Sequence, residues 1–335
     1  MSAVLVTGAA GFIGSHLVDA LLARGNRVIG VDNFLRGTRD NLAAASAQGG
    51  FDLHVADLAD FDACDHLAHS IDVENVQTIW HLAANSDIPA GVEDLNVDLR
   101  QTFLTTAGSL RLAKHLGVKD FYFTSTSAVY GEHEGPIAED TPMQPISNYG
   151  AMKLASEAAI SAATEAYLES ACIFRLPNVV GARSTHGLIY DMRAKLADVR
   201  ARPSSPRTIE VLGDGSQRKQ YLHVTELIQA MLWVAGLRRE GFSAYNVGPS
   251  ADPGITVRRI IDIILETAGG GATAVYTGGD RGWVGDVPRF AYSVEKLATA
   301  GWSARGNSES AIRQACIELL FPSETSTSKL DTVLH

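Results

Sequence analysis

Tyr149 and Lys153 stand four residues apart in a stretch rich in alanine and leucine that reads as helix, so their side chains share one face and can meet. A phenol has a pKa of about 10 in isolation, and an adjacent ammonium favours the phenolate, which makes the pair a candidate general base. Upstream, Thr124-Ser125-Thr126-Ser127 closes an apolar run of strand type. A hydroxyl at that place could share or relay a proton. Tyr-x-x-x-Lys arises often by chance, so the reading depends on what else the chain places near it.

The decisive companion is at the start of the chain. Thr7-Gly8-Ala9-Ala10-Gly11-Phe12-Ile13-Gly14-Ser15-His16 follows an apolar run, so a buried strand turns directly into a helix. Gly8, Gly11 and Gly14 would supply a tight turn, a place for backbone to approach a pyrophosphate, and close packing of helix on strand. The helix N-terminus adds unpaired N–H groups and a positive dipole end. The spacing is Gly-x-x-Gly-x-x-Gly, not the Gly-x-Gly-x-x-Gly of the best-known fingerprint, so the context must confirm it. It does: Asn26 to Val31 reads as a second strand and ends in Asp32, about twenty residues on, where a carboxylate binds adenosine ribose hydroxyls and repels a 2′-phosphate. The cofactor implied is NAD. Its positive nicotinamide ring would join Lys153 in favouring the Tyr149 phenolate.

Stepping from strand to strand, the chain alternates β and α. Strands are expected at 51–55, 76–82, 120–124 and 171–176, with helices near 61–70, 93–116 and 147–169 between them. Farther on come a helix near 187–200, a strand at 208–212, and helices near 225–237, 256–268 and 308–320, while 242–247 reads as a strand returning to the main sheet. The expected fold is α/β: a Rossmann-type, doubly wound parallel sheet with a smaller α/β C-terminal lobe. The expected boundaries are 1–177 for the NAD-binding domain, with 221–250 returning to it, 178–320 for the second lobe, and a flexible tail at 322–335. The chain has 335 residues, 46% hydrophobic and 20% charged, the composition of a soluble globular enzyme. Its net charge of −10 argues against nucleic acid or an anionic membrane as partner, so any phosphate-bearing ligand must be held by local cations. Cys64, Cys172 and Cys316 form no metal-type or redox-type pair. With no span of membrane length and no metal site, the expected location is the cytoplasm.

Over residues 3 to about 320 the chain resembles the extended short-chain dehydrogenases/reductases, and within them the NAD-dependent nucleotide-sugar epimerases and dehydratases, most like UDP-glucose 4-epimerases. The resemblance implies cofactor contacts from Gly8, Gly11, Phe12, Ile13 and Gly14, from Asp32, Asn33 and Arg36, and from Asp57 and Leu58 at the adenine. It adds Leu82, Ala83 and Ala84 in the His81-Leu82-Ala83-Ala84 run, and Ser125. The implied catalytic residues are Thr126, Tyr149 and Lys153, the tyrosine removing a sugar hydroxyl proton and the lysine holding the cofactor ribose. Implied substrate contacts are Ser86, Thr126, Asn178, His186, Lys219, Tyr221 and Arg281. Lys219 stands where the family usually has an arginine that grips diphosphate; a lysine neutralises phosphate without the bidentate fork. Arg281 resembles a second diphosphate arginine.

Two departures narrow the reading. The 4,6-dehydratases of the family place Asp-Glu after the catalytic threonine to eliminate water, and this chain has Ser127-Ala128. The asparagine usual in the helix before the fifth strand is Thr102 here, with Thr106 in the expected threonine place. The implied activity is a 4-epimerase of a UDP-hexose or UDP-uronic acid. The alternatives are a nucleotide-sugar 4-ketoreductase, dehydrogenase or decarboxylase, or a non-catalytic NAD-sensing protein, against which the intact Thr126, Tyr149 and Lys153 argue. The resemblance also implies a homodimer through a four-helix bundle formed by helices 93–116 and 147–169.

Overall fold

The computed structural model describes residues 3–71, 76–133, 135–201, 207–237, 239–279 and 291–322. Strands β1 (Ala3–Thr7), β2 (Arg27–Asp32), β3 (Phe51–Val55), β4 (Val76–His81), β5 (Asp120–Thr126), β6 (Ser170–Leu176) and β7 (Gly241–Asn246) form one sheet. Every pairing is parallel, in the order β7-β6-β5-β4-β1-β2-β3. The segment 242–247 therefore returns to the sheet as expected, one residue earlier at its start. Strand order reverses between β1 and β4, where the loops leaving the two strands diverge and open a crevice at their carboxyl ends.

Apolar side chains explain why the sheet is covered on both faces. Along β5, Phe121 and Phe123 enter one core with Ile79, Leu112, Ile160 and Ile173, while Tyr122 between them enters the other with Leu17, Trp80, Phe174 and Met231. That is the period of two of a strand buried on both sides. Trp80 stacks on Tyr122 at 4.2 Å between ring centroids, tying β4 to β5.

A separate cluster holds the second lobe. Helices Leu188–Ala201, Val257–Thr267 and Ser308–Leu320 bury Met192, Leu196, Ile260, Ile261, Ile264, Ile312 and Leu319 against one another. Strands Thr208–Val211 and Thr273–Tyr276 pair in parallel beside them. Thr256 caps the middle helix, its hydroxyl accepting from the Arg259 N–H, and Asn307 with Ser310 closes the last one reciprocally.

One expected element is broken. The helix anticipated over 93–116 is instead Ile88–Glu93, Leu95–Asp98, a π-helical stretch Leu99–Leu104 and then Thr105–Leu116. Asp94 restarts the chain as an N-cap for Asn96. Hydroxyls then compete for backbone carbonyls: Thr105 donates to the Arg100 carbonyl at 3.0 Å, Thr106 to that of Thr102 at 2.9 Å, and Ser109 to that of Thr105 at 2.9 Å. The helix expected at 147–169 runs Asn148–Ala166, capped by Ser147. Residues 323–335 of the expected tail lie outside the described residues. None of the described helices is long and apolar enough to cross a membrane.

Candidate active site

β1 is buried at all five positions and ends in Gly8, whose φ of 68° turns the chain away from the sheet. A Cβ on Gly8 would lie 2.7 Å from the Ala83 nitrogen, and one on Gly14 would overlap the Gly8 carbonyl oxygen. Only glycine at both positions lets helix Phe12–Ala23 start this close to the strand. That helix is preceded by Gly11 with no side-chain cap and has no acidic residue in its first turn, so among the described residues no side chain caps its start, and Gly11, Phe12, Ile13 and Gly14 line the crevice. Such an end suits an anion.

Asp32, at the tip of β2, is 7% exposed and anchored on both oxygens: Oδ2 accepts the Ala10 N–H at 2.9 Å and Oδ1 the Phe34 N–H at 2.8 Å. Burial raises its carboxyl above the ordinary value, against the pull of those two bonds. Asp57 accepts from the Ala59 N–H and pairs with Arg100 at 2.8 Å, and Arg36 pairs with Asp87 at 2.7 Å. On the far side of the crevice the turn Leu82-Ala83-Ala84 is set by Thr7, whose Oγ1 accepts from the Leu82 and Ala83 N–H groups at 3.2 and 3.3 Å. Thr7 Oγ1 lies 2.7 Å from Nδ1 of buried His81, and Thr106 and Ser109 complete the ring's contacts at 3.0 Å each. Burial holds this imidazole well below its usual pKa, so it is neutral. Thr106 thus supports the turn from behind. Thr102, in the usual asparagine place, accepts from the Asn85 N–H at 3.2 Å.

Tyr149 and Lys153 are brought together by the first turns of Asn148–Ala166. Lys153 is 2% exposed; its Nζ donates to the Thr124 carbonyl at 2.6 Å, lies 4.5 Å from the Phe123 ring centroid and 5.9 Å from that of Tyr149. Thr126 Oγ1 accepts from the Ala128 N–H at 3.2 Å, and the Thr126 side chain draws the Tyr149 phenol downward against the larger effect of burial. The expected activation is not built into the protein by itself. Burial pushes the Tyr149 phenol up to about 12 and draws the Lys153 amine down to about 7, because desolvation disfavours both charged forms.

These groups line one cleft of about 720 Å³. Gly8, Gly11, Phe12, Ile13, Gly14, Asp32, Asn33, Arg36, Asp57, Leu58, Leu82, Ala83, Ala84, Ser125, Tyr149 and Lys153 are all on its wall, as are Ser86, Thr126, Asn178, His186 and Tyr221. Lys219 is not among the described residues of the wall; it sits in strand Arg218–Lys219, paired with Ile255. Arg281 lies outside the described residues. Motifs gave no sign of the apolar wall residues Ile260, Ile312 and Leu319, which only tertiary packing brings to the cleft. Nor did they point to Glu157, signalled by an acid four residues after Lys153, or to its buried partner Arg175. The three cysteines are buried free thiols, and no cluster of metal-ligating side chains occurs among the described residues.

The family model described as NAD dependent epimerase/dehydratase family matches residues 4–248. The UDP-glucose 4-epimerase of Mycolicibacterium smegmatis is 33% identical over 255 residues, 74% of this chain and 77% of that one. Among solved structures, a UDP-galactose 4-epimerase superposes with a TM-score of 0.80 at 30% identity, covering 96% of this chain and 99% of the other. The UDP-glucose 4-epimerase of Thermus thermophilus in complex with NAD has a TM-score of 0.80 at 28% identity, over 95% and 98%.

Proposed function

The chain belongs to the NAD dependent epimerase/dehydratase family, and from that premise we propose that it is a 4-epimerase of a UDP-hexose or UDP-uronic acid. The observation that carries the proposal is that one cleft is lined by the glycine turn, by Tyr149, Thr126 and Lys153, and by Asn178, His186 and Tyr221. The uncapped helix start, the anchored Asp32 and the glycine contacts fit a dinucleotide. When bound, NAD supplies an acceptor and later a donor of hydride.

In this reading the N-terminal sheet holds the cofactor and the 178–320 lobe holds the nucleotide end of the substrate. Tyr149 Oη removes the proton of the sugar 4-hydroxyl and Thr126 Oγ1 orients that hydroxyl. Lys153, fixed by the Thr124 carbonyl, holds the nicotinamide ribose and adds positive charge beside the phenol. The flat 4-keto sugar turns about its phosphate linkage, and Tyr149 returns the proton at the other face. Because hydride comes back to the same carbon, no external oxidant or reductant is consumed. Elimination of water needs an acid and a base beside Thr126, and Ser127 and Ala128 offer neither. Lys219 and Arg281 are proposed to serve the diphosphate. Small residues such as Ala158 and Ala162, exposed on Asn148–Ala166, support a homodimer through this helix and Thr105–Leu116. The buried free thiols fit a reducing cytoplasm.

Incubation with a panel of nucleotide sugars, followed by NMR of the anomeric protons, tests the activity. A 4-epimer formed without net NADH is the expected result. A dehydrated, decarboxylated or stably reduced product would overturn it.

A further inference from the structure

Glu157 lies one helical turn beyond Lys153 on the same inner face of Asn148–Ala166, 3% exposed. Its carboxylate is gripped by both strands beneath. Ser125 Oγ donates to Oε1 at 2.5 Å, Arg175 Nε donates to the two oxygens at 3.2 Å each, and Arg175 Nη2 donates to Oε2 at 2.8 Å. Arg175 is held in turn, its Nη1 donating to the Tyr130 hydroxyl at 2.7 Å and to the Glu139 carbonyl at 2.9 Å. The Tyr130 hydroxyl then donates to Asn246 Oδ1 at 2.7 Å, which links β5, β6 and β7 through one polar chain.

Stability alone is a poor reason for this arrangement, since a buried ion pair is often no better than an apolar pair of the same volume. What singles it out is its neighbour. The groups that face Lys153 are Tyr149 and Glu157 from its own helix, the Thr124 carbonyl and Phe123 ring from β5, neutral His81 from β4, and Asp98 from Leu95–Asp98. Two of these are acids. Asp98 is fully buried with Oδ2 unpartnered among the described residues, Oδ1 accepts from Asn85 Nδ2 at 2.8 Å, and burial raises its carboxyl. It is a weakly anchored anion, and Glu157 is the firmly anchored one.

We propose that Glu157, fixed by Arg175 and Ser125, is a positioning residue for the reaction: it is the counter-charge that keeps Lys153 an ammonium while Tyr149 acts as base. The inference rests on the base-pair reading of Tyr149 and Lys153. Lys153 already sits near 7 with the anion in place, so it has little margin to lose.

The test is a titration of Lys153 itself. Protein carrying lysine labelled with ¹³C at Cε is followed by NMR against pH, and the Lys153 signal is assigned by its loss in Lys153→Arg. Glu157→Gln removes the charge and keeps an acceptor for Ser125. Because that leaves Arg175 alone, Glu157→Gln/Arg175→Met removes both charges as a second variant. Glu157→Asp keeps the charge. The expected result is a midpoint lowered by about one pH unit or more in Glu157→Gln, lowered by less in Glu157→Gln/Arg175→Met, where a cation leaves with the anion, and largely restored in Glu157→Asp. The alkaline limb of the kcat profile should move down with it, and KM for the nucleotide sugar should change by less than about twofold. An unmoved midpoint in folded Glu157→Gln or in the folded double variant overturns the proposal. The titration needs no turnover. A wild-type protein inactive on every nucleotide sugar, with the midpoint shifted in the variants, would sink the epimerase reading and leave this one standing.

Discussion

Stripping the cofactor should disable the proposed base, and the size of the effect can be worked out. In the protein alone the Tyr149 phenol is pushed up to about 12 by burial, while Lys153, drawn down to about 7, carries only part of a charge at neutral pH. At pH 7 such a phenol is ionised in roughly one molecule in 10⁵, which at about 1.4 kcal/mol per unit puts the phenolate about 7 kcal/mol uphill. A unit positive charge at roughly 4–6 Å, in an effective dielectric of about 20, returns about 3–4 kcal/mol, or about two to three pH units. Oxidised NAD brings that charge to its nicotinamide ring; NADH does not. The assay is the phenolate absorbance of wild type minus Tyr149→Phe, titrated for stripped, NAD-loaded and NADH-loaded protein. The NAD-loaded midpoint should lie about two to three units below that of stripped protein, with the NADH-loaded one close to the stripped value. Lys153→Ala should raise the NAD-loaded midpoint. Equal midpoints with NAD and NADH, or a stripped protein titrating below about 9, would refute the reasoning.

Three further outcomes are expected. Asp32→Ala frees the Ala10 and Phe34 N–H groups and removes the ribose acceptor; charge-assisted bonds of about 1.5–3 kcal/mol predict a ten- to hundredfold loss of NAD affinity, with NADP gaining relative to NAD. Calorimetry showing an unchanged NAD-to-NADP ratio would place the ribose elsewhere. Lys153 titrates near 7 folded against 10.5 for the ordinary amine, so it opposes folding fully below pH 7 and progressively less as the pH rises toward 10.5. Lys153→Met should therefore stabilise stripped protein by about 2–4 kcal/mol at pH 6 and by little at pH 10, read from urea midpoints, and equal effects at the two pH values would contradict the shift. Light scattering at micromolar concentration should give about twice the mass of one chain; a monomer mass alone would refute the proposed dimer.

Much of this molecule is legible without coordinates because its chemistry is local in sequence. The glycine turn, Asp32 and the Tyr149–Lys153 pair each lie within one strand-turn-helix step or one helical turn, and the period of apolar residues declares the strands that carry them. The break at residues 94–104 was hidden because Thr105, Thr106 and Ser109 are acceptable helix formers until their hydroxyls take backbone carbonyls. Other features were settled by folding alone. Residues 260, 312 and 319 reach the cleft wall, Arg175 on β6 meets Glu157 on the helix Asn148–Ala166, and the Tyr149 phenol is driven away from ionisation, not toward it. Spacing along the chain places side chains relative to their neighbours. Desolvation and long-range pairing depend on what the completed fold excludes, water above all, and so the protonation of the site belongs to the tertiary structure.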